Sequence, residues 1–247
     1  MVEIKRRGGR GFEEMREIKI TKGILKYAMG SCLIEMGDTK VLCAVNIDDK
    51  VPLFLKGTDS GWLTAEYALL PSSTSERVTR SSNLTGRSQE IQRMIGRSLR
   101  AVLDLKKVGE RTIMVDCDVI QADGGTRAAS ITGGFIALVE ALSKLKKARL
   151  IKLPLLRDYL AAISAGIVHG EKLVDLDYYE DSEAGVDFNV VMTGKGEFVE
   201  IQGTAEGSPF TEKDLMDLLR IAGSGIKSII KIEKEVLKDD IELLLGN

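Results

Sequence analysis

Four residues, Gly124-Gly125-Thr126-Arg127, separate an alternating polar and apolar stretch from a run of small residues. Glycines let a backbone approach an anion closely, amides freed at a helix start donate to it, and the helix dipole favours its charge. Thr126 adds a hydroxyl and Arg127 a forked, permanently charged donor. The Lys-Ser/Thr ending and spacing of a P-loop are missing, so a nucleoside triphosphatase is a poor reading. Arg87 follows Gly86 at the entrance to another helical pattern, and two helix starts each presenting an arginine can enclose one small anion. The plain alternative is a tight turn, an ordinary cap and two surface arginines.

Carboxylates offer a second chemistry. Asp187 alternates with apolar Val186 and Phe188, as on the exposed face of a strand, and Asp181 closes the acidic run before it. Brought together across a sheet, the two can bind Mg²⁺ through oxygen ligands or share a proton, which raises one pKa for general-acid work. Polar residues of a turn and an outer sheet face would read the same way. Asp116, Asp118 and nearby Asp123 invite a similar metal reading, or acceptance of hydrogen bonds from arginines. Positive charge is concentrated: from Glu76 to Arg100 six arginines stand against two glutamates, a net +4. Arg77 and Arg80 in a loop, with Arg93, Arg97 and Arg100 at helical spacing, can track a phosphodiester backbone with salt-sensitive affinity and no base readout. A solvated helix face is the alternative, with Arg100 and Asp104 an ordinary i, i+4 pair.

These residues need elements to carry them. Strand-like runs cover residues 16–21, 26–37, 40–47 and 61–71, with a hairpin turn at Gly37-Asp38-Thr39. A Ser/Thr/Arg-rich loop follows, long enough to be functional. From Gln89 to Lys107 apolar residues recur at three and four, which predicts a helix. A strand over 111–123 leads into a helix from Thr126 whose Ala, Ser and Gly content permits close backbone approach. A second series of hairpin strands runs over 159–170, 171–181, 185–194 and 197–207. Thr211 then caps a long amphipathic helix, with Glu212 and Asp214 suited to its positive end. The order predicts an α+β fold, its antiparallel or mixed sheets packed on long helices, rather than a Rossmann alternation. One domain is expected over 1–247, in two pseudo-duplicated halves at about 1–145 and 146–240.

With 44% hydrophobic and 29% charged residues the chain is an ordinary globular one. No run of about 18 apolar residues predicts a membrane span. The charged first twenty residues argue against a secretory signal, so a cytoplasmic protein is expected. Cys32, Cys43 and Cys117 form no CxxC pair and read as buried free thiols. With His169 the sole histidine, a Cys/His zinc site is a poor reading, and a histidine-dependent triad would have to use that residue.

Five stretches in order, "SGWLTAEYALLP", "GRSQEIQRMIGRSLRAVLDL", "GERTIMVDCDVIQADGGTRAASITGGFIAL", "AISAGIVHG" and "EDSEAGVDFNVVMTGKGEFVEIQGTAEGSPFT", together resemble the bacterial ribonuclease PH family from about Arg7 to Lys231. The resemblance implies the ribonuclease PH fold and a phosphorolytic 3′-to-5′ exoribonuclease that trims tRNA precursors and other RNA 3′ ends. Inorganic phosphate would be the co-substrate, Mg²⁺ an added ion, and a hexameric ring, a trimer of dimers, the homo-oligomer. Carried over by position, Arg87, Gly125, Thr126 and Arg127 would bind phosphate, and Asp181 and Asp187 would be catalytic carboxylates that help to hold Mg²⁺. Arg77, Arg80 and Arg93 would contact RNA. The chain departs from the family pattern at Ser72 and Ser81, where an arginine and an acid are usual, and in a shorter loop up to Arg87. The rival reading is a non-catalytic RNA-binding ring subunit, which would be expected to lack phosphate or acid residues.

Overall fold

A computed structural model describes residues 6–80 and 86–245. Two sheets share one helix. The first sheet is built from β1 (Ile18–Lys22), β2 (Gly30–Met36), β3 (Thr39–Asp48), β4 (Trp62–Leu69) and β5 (Thr112–Gln121), in the order β1-β2-β3-β5-β4. The second comprises β6 (Leu160–Val168), β7 (Glu171–Val174), β8 (Ala184–Thr193) and β9 (Phe198–Ala205), in the order β7-β6-β8-β9. Helix α3 (Thr126–Lys147) packs on β2 and β3 of the first sheet and on β6 of the second.

Alternation fixes which face each strand turns inward. In β5, Ile113, Val115, Cys117 and Val119 are buried beneath α3, while Asp116 and Asp118 point to the other face. Cys32, Cys43 and Cys117 are register partners across β2, β3 and β5, and all three are buried free thiols, as expected. The helix reaches them because it is small: a Cβ on Gly133 would sit 2.7 Å from Ile34 and 2.9 Å from the Cys43 sulfur. On its other side Thr132 accepts a hydrogen bond of 3.1 Å from the Ala162 amide in β6. By length and composition α3 is apolar enough to cross a membrane, yet its most apolar window is 89% buried in the protein, as a core helix is.

The first sheet is mixed: all sheet pairs are antiparallel except β4 with β5, which is parallel, because α1 (Gly86–Ala101) returns the chain to the same end of the sheet. One expectation changes. The helix expected to reach Lys107 stops at Ala101, and α2 (Leu105–Val108) starts afresh with Asp104 as its cap, accepting from the Lys106 amide at 3.2 Å. Asp104 therefore does not pair with Arg100, which donates to the Leu63 carbonyl at 2.8 Å and lies over the Trp62 ring.

The last helix, α5 (Glu212–Glu242), begins with the expected Thr211 cap, closed reciprocally by Asp214. Its apolar stripe covers β6, β7 and β8 but includes Glu233, which is 0% exposed with neither carboxyl oxygen hydrogen-bonded. Burial first, then the charge of Asp158, pushes this carboxyl well above the ordinary glutamate range. The folded state thus binds a proton that the unfolded chain releases above about pH 4.3. Stability from this group is complete below that pH and is lost as pH rises toward the raised value. Glu233→Gln should accordingly stabilise the protein by about 1–3 kcal/mol at alkaline pH and hardly at all near pH 4. Denaturant midpoints measured from pH 4 to 9 would show the gap widening; parallel curves would contradict it.

Candidate active site

One cavity of about 420 Å³ opens where the two sheets meet. The end of β4 contributes Tyr67, the first turn of α1 Arg87 and Ser88, and the turn after β5 Gly124, Gly125, Thr126 and Arg127. From the second half come Ser164 of β6, Tyr178, Asp181 and Ser182 of the short helix α4 (Tyr178–Ser182), and Asp187 and Asn189 of β8. Every residue expected to hold an anion or a proton thus lines a single space.

The glycine turn is built as its sequence suggests. Gly124 and Gly125 adopt φ of +74° and +67°, in the left-handed region, and Gly125 caps α3 with no side-chain hydrogen bond to the first amides. A Cβ on Gly124 would collide with the backbone at Leu176 and Asp177. Thr126 shares a 2.9 Å hydrogen bond with the Tyr67 hydroxyl. Arg127 donates to the side-chain oxygen Oε1 of Gln202 in β9 at 2.9 Å, and the side-chain nitrogen Nε2 of Gln202 donates to Glu90 of α1 at 2.7 Å.

Asp181 and Asp187 come together, though not as two strands. The stretch read as a strand over 171–181 ends at Val174; Asp177 then caps α4, accepting from the Tyr179 and Glu180 amides, while Glu180 returns the bond to the Asp177 amide. That D-x-x-E box was in the sequence and marks a helix start. Burial raises both site carboxyls above the ordinary aspartate range. For Asp181, which keeps access to solvent through the cavity, the charge of Asp187 adds to the rise, and Arg87 and Arg127 oppose it. For Asp187 the opposing influences are Arg127, Arg87 and a 3.2 Å hydrogen bond from Asn189.

What holds this site in place is a set of long-range contacts that no local pattern marks. Arg16 grips both oxygens of Asp175 at 3.0 and 2.6 Å and also donates to the carbonyls of Asp123 and Gly124. Thr39 donates to the same Gly124 carbonyl at 2.6 Å and accepts from the Asp123 amide at 3.0 Å. Arg6, its side chain 0% exposed, donates to both oxygens of Glu180 and to the carbonyls of Val174 and Asp175. Burial alone would raise Asp175, but the hydrogen bonds and charge of Arg16 outweigh it and hold this carboxyl below the usual range. These partners lie 84 to 174 residues apart, beyond any local pattern.

Other expected residues lie elsewhere. Arg77 and Arg80 are exposed in the loop whose Thr74 and Val78 line the cavity. Arg93 is exposed on α1 and does not line it, and Arg97 forms an ion pair of 2.6 Å with Glu200. Ser72 is exposed, and Ser81 lies outside the described residues. Asp116 and Asp118 gather no metal site: among the described residues no group of three or more His, Cys, Asp or Glu could hold an ion. His169 sits at the β6–β7 turn bonded to Glu183 at 2.8 Å, apart from the cavity, so no histidine-dependent triad forms.

The model of the 3′ exoribonuclease family, domain 1, matches residues 14–143, and that of domain 2 matches residues 158–225. The chain belongs to the 3′ exoribonuclease family. Ribonuclease PH of Moorella thermoacetica is 57% identical over 95% of both chains. That of Syntrophomonas wolfei is 53% identical over 95% of this chain and 99% of its own. The Archaeoglobus fulgidus exosome with RNA bound to the active site superposes with a TM-score of 0.76 at 24% identity, covering 92% of each chain. An archaeal exosome core gives 0.72 at 23% identity, over 94% of this chain and 90% of that one. At these identities the two structures speak for the fold. As a member of the 3′ exoribonuclease family, the chain spans both domains, and the cavity described above is lined by residues of each.

Proposed function

We propose that this cavity is a phosphorolytic active site in which Arg87, Gly125, Thr126 and Arg127 hold inorganic phosphate while Asp181 and Asp187 serve the leaving oxygen. The chain is a phosphorolytic 3′-to-5′ exoribonuclease acting on tRNA precursors, with phosphate as co-substrate. The observation that carries the assignment of roles is the meeting of two helix-start arginines and two carboxylates in one space of about 420 Å³. A phosphate oxygen attacks the last internucleotide phosphorus, the bond to the 3′ oxygen breaks, and a nucleoside 5′-diphosphate departs. Two anions must approach each other for this, and fixed guanidinium and amide donors offset their repulsion and set the line of attack. Unprotonated, the departing 3′ oxygen is a strongly basic alkoxide and a poor leaving group. Two carboxyls raised by burial, one further raised by the other, are suited to share and deliver that proton.

The donor set also fits Mg²⁺, a hard cation that takes carboxylate oxygens. Asp181 and Asp187 would hold the ion, which when bound supplies positive charge to phosphate oxygens. For RNA beyond the last nucleotide we assign exposed Arg77 and Arg80 as backbone contacts, with Arg93 farther along α1. A hexameric ring of copies would cover apolar surface such as Leu53, 90% exposed, and Phe54. Buried free thiols fit a cytoplasmic, reducing location. A non-catalytic ring subunit is disfavoured because both arginines and both acids are present and converge.

The test is incubation of a 3′-extended tRNA with and without phosphate, scoring nucleoside diphosphate. Release should require phosphate. In Arg127→Ala, kcat/KM for phosphate should fall about 10²–10³-fold, as when one anion-holding donor is removed. RNA binding at fixed salt should change much less; equal loss of both would reject the phosphate role.

A further inference from the structure

Strand β9 presents Glu200 and Gln202 on the same face, two residues apart, and each meets an arginine. The two arginines are treated differently. Glu200 forms an ion pair with Arg97 at 2.6 Å, so that guanidinium is already balanced. Gln202 offers Arg127 only a neutral carbonyl, at 2.9 Å. Its amide nitrogen meanwhile donates to Glu90 at 2.7 Å. Only the oxygen of a carboxamide accepts and only its nitrogen donates, so a cation on one side and an anion on the other fix its orientation. The amide joins three elements, α1, β9 and α3, and stands between Glu90 and Arg127. Arg127 lines the cavity; Gln202 and Glu90 do not.

We infer that Gln202 is a positioning residue, a neutral spacer that aims the Arg127 guanidinium at the cavity and keeps Glu90 from adding a third carboxylate to Asp181 and Asp187, which share that cavity with it. The inference rests on the reading of Arg127 as a phosphate ligand and deepens it. A carboxylate at this position would hold Arg127 equally well but would spend its charge, as Glu200 does with Arg97. A side chain of the same length without an acceptor would leave Arg127 charged but unaimed, with Glu90 free to close on it.

The experiment measures KM for phosphate and for a 3′-extended tRNA separately in full-length Gln202→Glu, Gln202→Met, Glu90→Gln and Gln202→Met/Glu90→Gln, beside Arg127→Ala. Gln202→Glu should raise KM for phosphate up to about fivefold, the size of one partly exposed ion pair, with KM for RNA within about twofold. That deficit should shrink as pH falls and the new carboxyl is protonated. Gln202→Met should raise it less, and adding Glu90→Gln should recover part of the loss. Glu90→Gln alone leaves Gln202 intact and gives a readout even if the other variants fold poorly; its KM for phosphate should fall or stay level. A rise in KM in Glu90→Gln, a Gln202→Met defect as large as that of Gln202→Glu, or parental values in both Gln202 variants would overturn the spacer. If Arg127→Ala itself kept the parental KM for phosphate, the site reading would fall with it, so the two failures are told apart.

Discussion

Asp187→Asn should leave the fold intact and lower kcat for phosphate-dependent release of nucleoside diphosphate by about 10²–10⁴-fold, the usual weight of a positioned general acid or base. Asparagine keeps the shape of the side chain and its contact with Asn189, so binding of phosphate and RNA should survive. What disappears is the proton that this carboxyl, as the proposed acid, would deliver. Burial holds this carboxyl above the ordinary aspartate range even though Arg127 and Arg87 pull the other way. A group needed in its protonated form is active below its pKa and fails as pH rises through it. Its raised value extends activity to higher pH than a free aspartate would allow. The parental enzyme should therefore lose kcat along an alkaline limb that the variant lacks. Single-turnover rates over a pH series, with thermal melts as a control, decide the point. A variant with parental kcat, or one whose loss merely follows unfolding, would remove Asp187 from the chemistry.

The parts of this site that can be read from the chain are those made by local physics. A left-handed glycine pair opening a helix is announced by Gly124-Gly125, and an arginine one or two residues inside a helix start is visible as such at Arg87 and Arg127. Alternation placed Asp187 on a strand face correctly. Asp181 was misplaced because the pattern of Val174, Asp175, Leu176 and Asp177 alternates like a strand; the backbone instead turns through Asp175 at φ +55° and restarts as a helix. Long-range partners carry no such mark. Nothing near Arg6 or Arg16 in the chain signals carboxylates more than 150 residues away, and Gln202 reads as an ordinary polar residue of an edge strand. Periodicity finds elements. It does not find what one side chain does to another across a seam.

The largest effect on stability should come from Asp175→Asn. Arg16 lies in a site where its guanidinium meets both oxygens of Asp175, and its own backbone amide donates to the same carboxylate at 2.8 Å. Asparagine tolerates the positive φ at this position, so backbone strain does not confuse the result. Removing the charge leaves a buried cation without its counterion, which costs about 3–5 kcal/mol, a large share of the roughly 5–15 kcal/mol that stabilises a typical domain. The pH dependence has the opposite sign to that of Glu233. Asp175 is held below its unfolded value, so its contribution is complete above about pH 3.9 and is lost as pH falls through the depressed one. The variant should show a lower denaturant midpoint at pH 7 and a shallower loss of stability under acid. Activity should fall further than stability alone explains, because Arg16 also ties down the carbonyls of Asp123 and Gly124 that precede the amides we assign to phosphate. If Asp175→Asn matched the parent in midpoint and acid slope, Arg16 would not be the clamp that sets the glycine turn, and the rigidity of that turn would have to come from Thr39 alone.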